Sequence, residues 1–142
     1  GGDGMTNEEK KAWLNRYQLL EQKNQRLQEE IVQWEVRASP LTVRYGIVPT
    51  GGSVDALQRA VEEMQALRDD LEEQLQKQET IRCEIEAAIQ RIEDRRLREC
   101  LRCRYLKGWS WEGVAVWMGY SPSYTARLHR QALEKLTFTL RQ

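Results

Sequence analysis

From Trp13 to Trp34 apolar side chains recur at Trp13, Tyr17, Leu20, Leu27, Ile31 and Trp34, with Asn24 in the one gap, so the steps alternate between four and three. A strand repeats every two residues and a solvated loop not at all. Only a helix whose narrow stripe faces another helix keeps this heptad period. Thr6 followed by Glu9 reads as a capping box that opens the helix. Asn24 stands at an a-type position, where a buried amide can set register and partner number; the alternative is that it faces solvent at the edge of the seam.

The pattern halts at Ser39-Pro40, and Tyr45-Gly46, Pro49 and Gly51-Gly52 keep it from resuming. The connection, residues 37–53, exceeds the usual link between helices. Its Leu41, Val43, Tyr45, Ile47 and Val48 point to packing along the helices rather than free solvation. Ser53 then caps a second helix whose seam runs through Leu57, Val61, Met64, Leu71, Leu75, Ile85, Ile89 and Ile92. Leu67 and Ile81 widen the seam, and Arg68, Gln78 and Arg82 interrupt it. A helix over residues 54–93 is about 60 Å long at about 1.5 Å per residue. A rod of that length cannot bury its stripe alone; it folds back on the first helix as an antiparallel hairpin, pairs with another chain, or does both. The first helix is about ten residues shorter, so a hairpin alone leaves part of the stripe open. That favours a homo-oligomer, a dimer first, held by Leu57, Val61, Met64, Leu71, Leu75 and Ile85.

Charge divides the chain. The formal net charge is +0, but residues 1–93 hold 12 Lys+Arg against 18 Asp+Glu and residues 94–142 hold 10 against 4, a difference of minus six and plus six. A basic C-terminal part seeks a polyanion, and nucleic acid is the first candidate. Gly1-Gly2-Asp3-Gly4 precede Met5, which reads as the native start, so residues 1–5 are expected to be an added extension and that start. No run of eighteen apolar residues and no signal-peptide core is present, so a cytoplasmic location without a membrane is expected.

Asp94 opens a basic helix running to Leu106, closed by Lys107-Gly108, a last-turn cation and a C-cap glycine. Leu97, Leu101, Tyr105 and Leu106 give it an apolar side. Ser110 caps a helix from Trp111 to Met118 that ends at Gly119, and Ser121 caps a third with Pro122 at its first position. Three short helices in this order make a helix-turn-helix unit. Where the first helix of the pair is crossed closely a small residue is needed, and the turn needs one that tolerates a left-handed backbone; Ala115 and Gly119 meet both demands. Val114, Met118, Tyr120 and Leu128 fall where the two helices interlock, and Thr125 is the weak member of that apolar set. The expected fold is therefore all-α, a long N-terminal helical hairpin or coiled coil over residues 6–93 followed by a helix-turn-helix module over residues 94–142.

The run Arg104-Tyr105-Leu106-Lys107-Gly108-Trp109-Ser110-Trp111-Glu112-Gly113-Val114-Ala115, then Met118-Gly119-Tyr120-Ser121, Leu128-His129 and Ala132-Leu133-Glu134-Lys135-Leu136, resembles sigma factor region four. It is closer still to the small phage-encoded transcription regulators of the RinA and ArpU type. The resemblance covers roughly residues 89–140 and implies a recognition helix over residues 122–140 in the major groove, with a role in late phage or prophage gene expression. Gly113 departs from the helix former usual in the family, and Thr125 from the usual Val. A full sigma factor also carries a domain that melts the promoter, with aromatics for stacking on unpaired bases, an arrangement the acidic segment here does not show. The chain is thus expected to bind duplex DNA, with RNA polymerase a further candidate partner.

On the third helix Leu128, Ala132, Leu133 and Leu136 face inward by their spacing, leaving Ser123, Tyr124, Arg127, Arg130 and Gln131 outward. Arg127 is the first candidate for a forked contact to guanine and Gln131 for adenine, with Ser123 and Tyr124 at phosphate or base edges and Ser121 at the helix start. Arg130, Arg102 and Arg104 suit phosphates. Cys100 and Cys103, with Cys83 and His129, match a zinc set in number only, because they are expected on helices rather than on a knuckle turn. No metal, cofactor or catalytic activity is expected. Trp109, Trp111 and Trp117 are expected in the module's core. Two rival readings stay open: a small terminase-like DNA-packaging subunit, and a coiled-coil adaptor that binds RNA polymerase.

Overall fold

A computed structural model describes residues 4–38 and 54–138. The expected Ser53 cap, the packing of residues 39–53 and the end of the chain after Phe138 lie outside the described residues. Among the described residues the regular structure is entirely helical: α1 Asn7–Ala38, α2 Val54–Gln90, α3 Arg95–Leu101 continuing as a π-helical turn Arg102–Leu106, α4 Trp111–Met118 and α5 Pro122–Lys135. The protein is all-α. None of these helices is long and apolar enough to cross a membrane. The residues fall into two compact units, Gly1–Leu19 with Gln78–Gln142, and Leu20–Lys77.

At the start of α1 the Glu9 amide donates to Thr6 Oγ1 at 3.1 Å, closing half of the capping box. Along α1 the heptad positions Trp13, Asn24 and Ile31 are buried and Tyr17, Leu20, Leu27 and Trp34 half-buried. Asn24 is therefore an interior residue, 3% exposed. On α2 the buried register differs from the expected one. It passes through Ala60, Met64, Leu67, Leu71, Gln74, Gln78, Ile81, Ile85, Ala88 and Ile92, all buried or half-buried, while Val61, Arg68 and Leu75 are exposed. Both registers keep the three-four step. The expected one would have buried two guanidiniums, Arg68 and Arg82; the observed one buries two neutral amides, and an unpaired buried charge costs far more than an amide. Arg68 instead pairs with Glu35 at 2.9 Å in the Leu20–Lys77 unit.

The other unit is larger than the expected module. Its core joins Trp13 and Leu14 of α1, Ile85, Ala88 and Ile89 of α2, and Ile92 to Leu97, Cys100, Leu101 and Tyr105 of α3 and to Leu128, Ala132, Leu133 and Leu136. Leu14, Ile85, Ile89, Leu101, Leu128, Leu133 and Leu136 are fully buried, each contributing about 1.5–3 kcal/mol of burial. The first turns of α1 also satisfy helix ends elsewhere in the unit. The buried Lys10 ammonium donates to the Leu133 carbonyl at 2.7 Å, in the last turn of α5 where free carbonyls and the helix dipole favour a cation. The Gln18 amide donates to the Tyr105 and Leu106 carbonyls, each at 3.2 Å. Gly108, at φ 75, follows this turn in the left-handed region, which favours glycine; a Cβ there would also displace the end of the Gln18 side chain, 2.8 Å away at Oε1. Arg16 and Glu84 pair at 3.0 Å between α1 and α2 in the same unit.

At the bend from α2 to α3 the Arg98 guanidinium donates to the Ile92 and Glu93 carbonyls at 2.7 and 2.8 Å, and Asp94 caps α3 by accepting from the Arg96 amide at 2.9 Å. The last helix is shorter than the expected 122–140. It stops at Lys135, Leu136 turns extended (φ −68, ψ 127), and Phe138 stacks on Trp13 with ring centroids 3.8 Å apart. A continuing helix would carry Phe138 away from that ring; the stack and the burial of Leu136 favour the turn.

Candidate nucleic-acid interface

Within the larger unit α4 and α5 are joined by a tight turn. Ser110 caps α4 by accepting from the Gly113 amide at 3.1 Å, and Gly119 ends it in the left-handed region at φ 76, ψ 29. Ser121 then caps α5, accepting from the Tyr124 amide at 3.1 Å, with Pro122 at the first helical position. A Cβ at Gly113 would lie 3.3 Å from Ser110 Oγ, which gives a glycine there a local reason. Ala115, 3% exposed, provides the small buried surface on α4 beside Val114. α5 packs across both α3 and α4.

The two faces of α5 differ sharply. Thr125, Leu128, Ala132 and Leu133 are buried. Thr125 sits there without cost because its hydroxyl donates back to the Ser121 carbonyl at 2.9 Å. On the other side Ser123, Arg127, Arg130 and Gln131 are exposed. No hydrogen bond or ion pair engages Arg127 or Arg130 among the described residues. Gln131 borders a polar groove with Arg91, Asp94, Glu134 and Lys135. Tyr124 is half-buried: its ring meets Tyr120 edge-on at 4.8 Å and its hydroxyl takes a hydrogen bond from Arg96. Arg96, which sequence reasoning did not single out, also grips Asp94 at 2.8 Å and so links the start of α3 to the start of α5.

Two expected phosphate ligands are placed otherwise. Arg102 bridges Glu86 of α2 at 2.6 Å and Glu99 of α3 at 2.7 Å, with its side chain 19% exposed. Arg104 donates to the Trp109 carbonyl at 2.9 Å and lies over the Trp111 ring, 5.2 Å from its centroid. Both guanidiniums hold α3 to its neighbours, because carboxylates, a carbonyl and a ring face lie within reach on the folded side. Of the expected oligomer contacts, Ile85 is fully buried in the larger unit's core and Met64 is buried in the other unit, whereas Leu57, Val61 and Leu75 are exposed.

His129 is half-buried against α3 and α4. Its Nε2 is hydrogen-bonded to the Tyr105 hydroxyl at 2.8 Å and its ring lies 4.3 Å from that of Trp111. Burial, then the nearby Lys11 and Arg104 charges, push its pKa down to about 4. Burial pushes the Cys100 thiol up to about 12, so this buried sulfur stays a neutral thiol. Among the described residues no group of three His, Cys, Asp or Glu side chains is arranged to hold a metal ion. Trp111 packs inward as expected, but Trp117 is 56% and its neighbour Val116 81% exposed. The reason is angular: with Val114, Ala115 and Met118 turned toward α5 and the core, residues 116 and 117 come out on the far side. Compared with family models, with curated proteins and with solved structures, the chain matches none.

Proposed function

We propose that this protein is a sequence-specific double-stranded DNA-binding transcription regulator of the phage or prophage kind, acting on late gene expression. In this reading α4, the Gly119 turn and α5 form a helix-turn-helix, α5 lies in the major groove, and RNA polymerase is a candidate second partner. The observation that carries it is the free polar face of α5, Ser123, Arg127, Arg130 and Gln131, set on a buried apolar face and braced by α3. Arg127 reads guanine and Gln131 adenine, Ser121 and Ser123 lie at phosphates, and Arg130 holds the backbone. Tyr124 contributes through its ring edge, its hydroxyl being shared with Arg96. The two long helices run as an antiparallel hairpin, supported by the pairs Arg16–Glu84 and Arg68–Glu35, and the chain self-associates.

Competition binding of the full chain to a selected duplex and to random duplex tests the reading. Arg127→Ala is expected to lose about 1–3 kcal/mol on the selected site and little on random DNA. Equal weakening on both duplexes would make Arg127 a backbone contact, and no duplex binding at all would overturn the function.

A further inference from the structure

The exposed stripe of α5 has an apolar member. Ser123, Ala126, Arg127 and Arg130 follow one another at the spacing that keeps residues on one side of a helix, and all four are exposed. Beside Ala126, between the first turn of α4 and α5, lies an open recess of about 130 Å³ lined by Trp111, Glu112, Pro122, Thr125, Ala126 and His129. Pro122 and Ala126, one turn apart and both exposed, form its edge, while Trp111, Thr125 and His129 are buried or half-buried. The Thr125 hydroxyl is committed to the Ser121 carbonyl at 2.9 Å and His129 Nε2 to the Tyr105 hydroxyl at 2.8 Å, so the lining is mainly apolar. With its pKa pushed down to about 4, the His129 ring is neutral near pH 7. Glu112 is then the charged side chain of the recess, and its carboxylate disfavours a phosphate there. What fits is a small, uncharged, apolar group. A duplex presents one such group to a helix in its major groove, the 5-methyl of thymine.

We propose that a thymine 5-methyl group seats in this recess, against Ala126, Pro122 and Trp111, so that the surface reads a T·A pair by apolar contact. The proposal rests on α5 lying in the major groove, as put forward above. It adds a specificity position beside those of Arg127 and Gln131, one that no polar side chain supplies.

The test replaces each thymine of the selected duplex by uracil, one at a time, which deletes the methyl and keeps every hydrogen-bonding group. Binding of the full chain is expected to weaken about fourfold at one position of the site, the burial of one methyl group, and to change little elsewhere. Two variants at the exposed Ala126 check that the recess is responsible. Ala126→Leu fills it and Ala126→Gly withdraws its wall; in both, the thymine and uracil duplexes are expected to bind alike. Helical circular dichroism equal to the wild type shows that the altered chains are folded. A fourfold preference for thymine kept by either variant places the methyl elsewhere and overturns the proposal. So does a wild type that binds the selected duplex yet tolerates uracil at every position, and there the DNA-binding reading stands. No binding to any duplex overturns both.

Discussion

Thr125, Arg102 and His129 show how a side chain's partner decides its role. A threonine in an apolar face is tolerable because Ser121 offers a carbonyl one turn back, and an arginine suited to phosphate is instead held between Glu86 and Glu99. Arg102→Ala is accordingly expected to lower the melting temperature, while Arg130→Ala leaves it unchanged and weakens DNA binding; the reverse pattern would return Arg102 to the interface. His129 makes stability depend on pH. Its folded pKa, about 4, lies below the ordinary value of 6.5, so the unfolded chain binds the proton more readily. Stability is then expected to be full above pH 6.5 and to fall as pH drops toward 4, by about 1–2 kcal/mol after allowing for the ring's partial exposure. His129→Gln should flatten that part of the profile in thermal unfolding measured across the window. An unchanged profile would place the titration elsewhere.

At the scale of elements, α1 does two jobs. Its first turns supply Trp13 and Leu14 to the core, Lys10 to the end of α5 and Gln18 to the end of α3. The packing of α3 and α5 is thus completed by residues more than seventy positions upstream of α3. Leu14→Ala is expected to destabilise the protein by about 2–5 kcal/mol, because it opens a cavity at a site with no exposure. A chain reduced to residues 94–142 loses the α1 and α2 parts of that core together and is expected to lack a cooperative melting transition. A sharp transition in that fragment, seen by calorimetry, would show that α3 to α5 suffice.

For the whole molecule the formal charge is +0, yet charge is distributed, and the proposed binding of DNA through Arg127 and Arg130 would release counterions. The logarithm of the full chain's DNA affinity is expected to fall linearly with the logarithm of salt, by about 0.9 per phosphate neutralised. Affinity that is the same at about 50 and 200 mM salt would exclude phosphate contacts of this kind. Reversing Glu72 and Glu73 to lysine should raise affinity for random duplex at low salt if the acidic helix holds off indiscriminate binding.

Much of the local structure was legible in the sequence because its causes are local. Helix starts at Thr6, Asp94, Ser110 and Ser121 follow from side chains that bond amides two or three residues on, and the stop at Gly119 follows from a backbone that only glycine adopts easily. The inward face of α5 and the heptad period of α1 were likewise readable, being properties of one helix. What only the tertiary structure decided depends on neighbours distant in sequence. The α2 register turned on which of two equally periodic stripes avoids burying arginines, and α5 ended early because Trp13 offers Phe138 a ring to stack on. Arg102 and Arg104 took places no spacing rule could assign, since a guanidinium is directed by whatever carboxylate, carbonyl or ring the folded chain sets beside it.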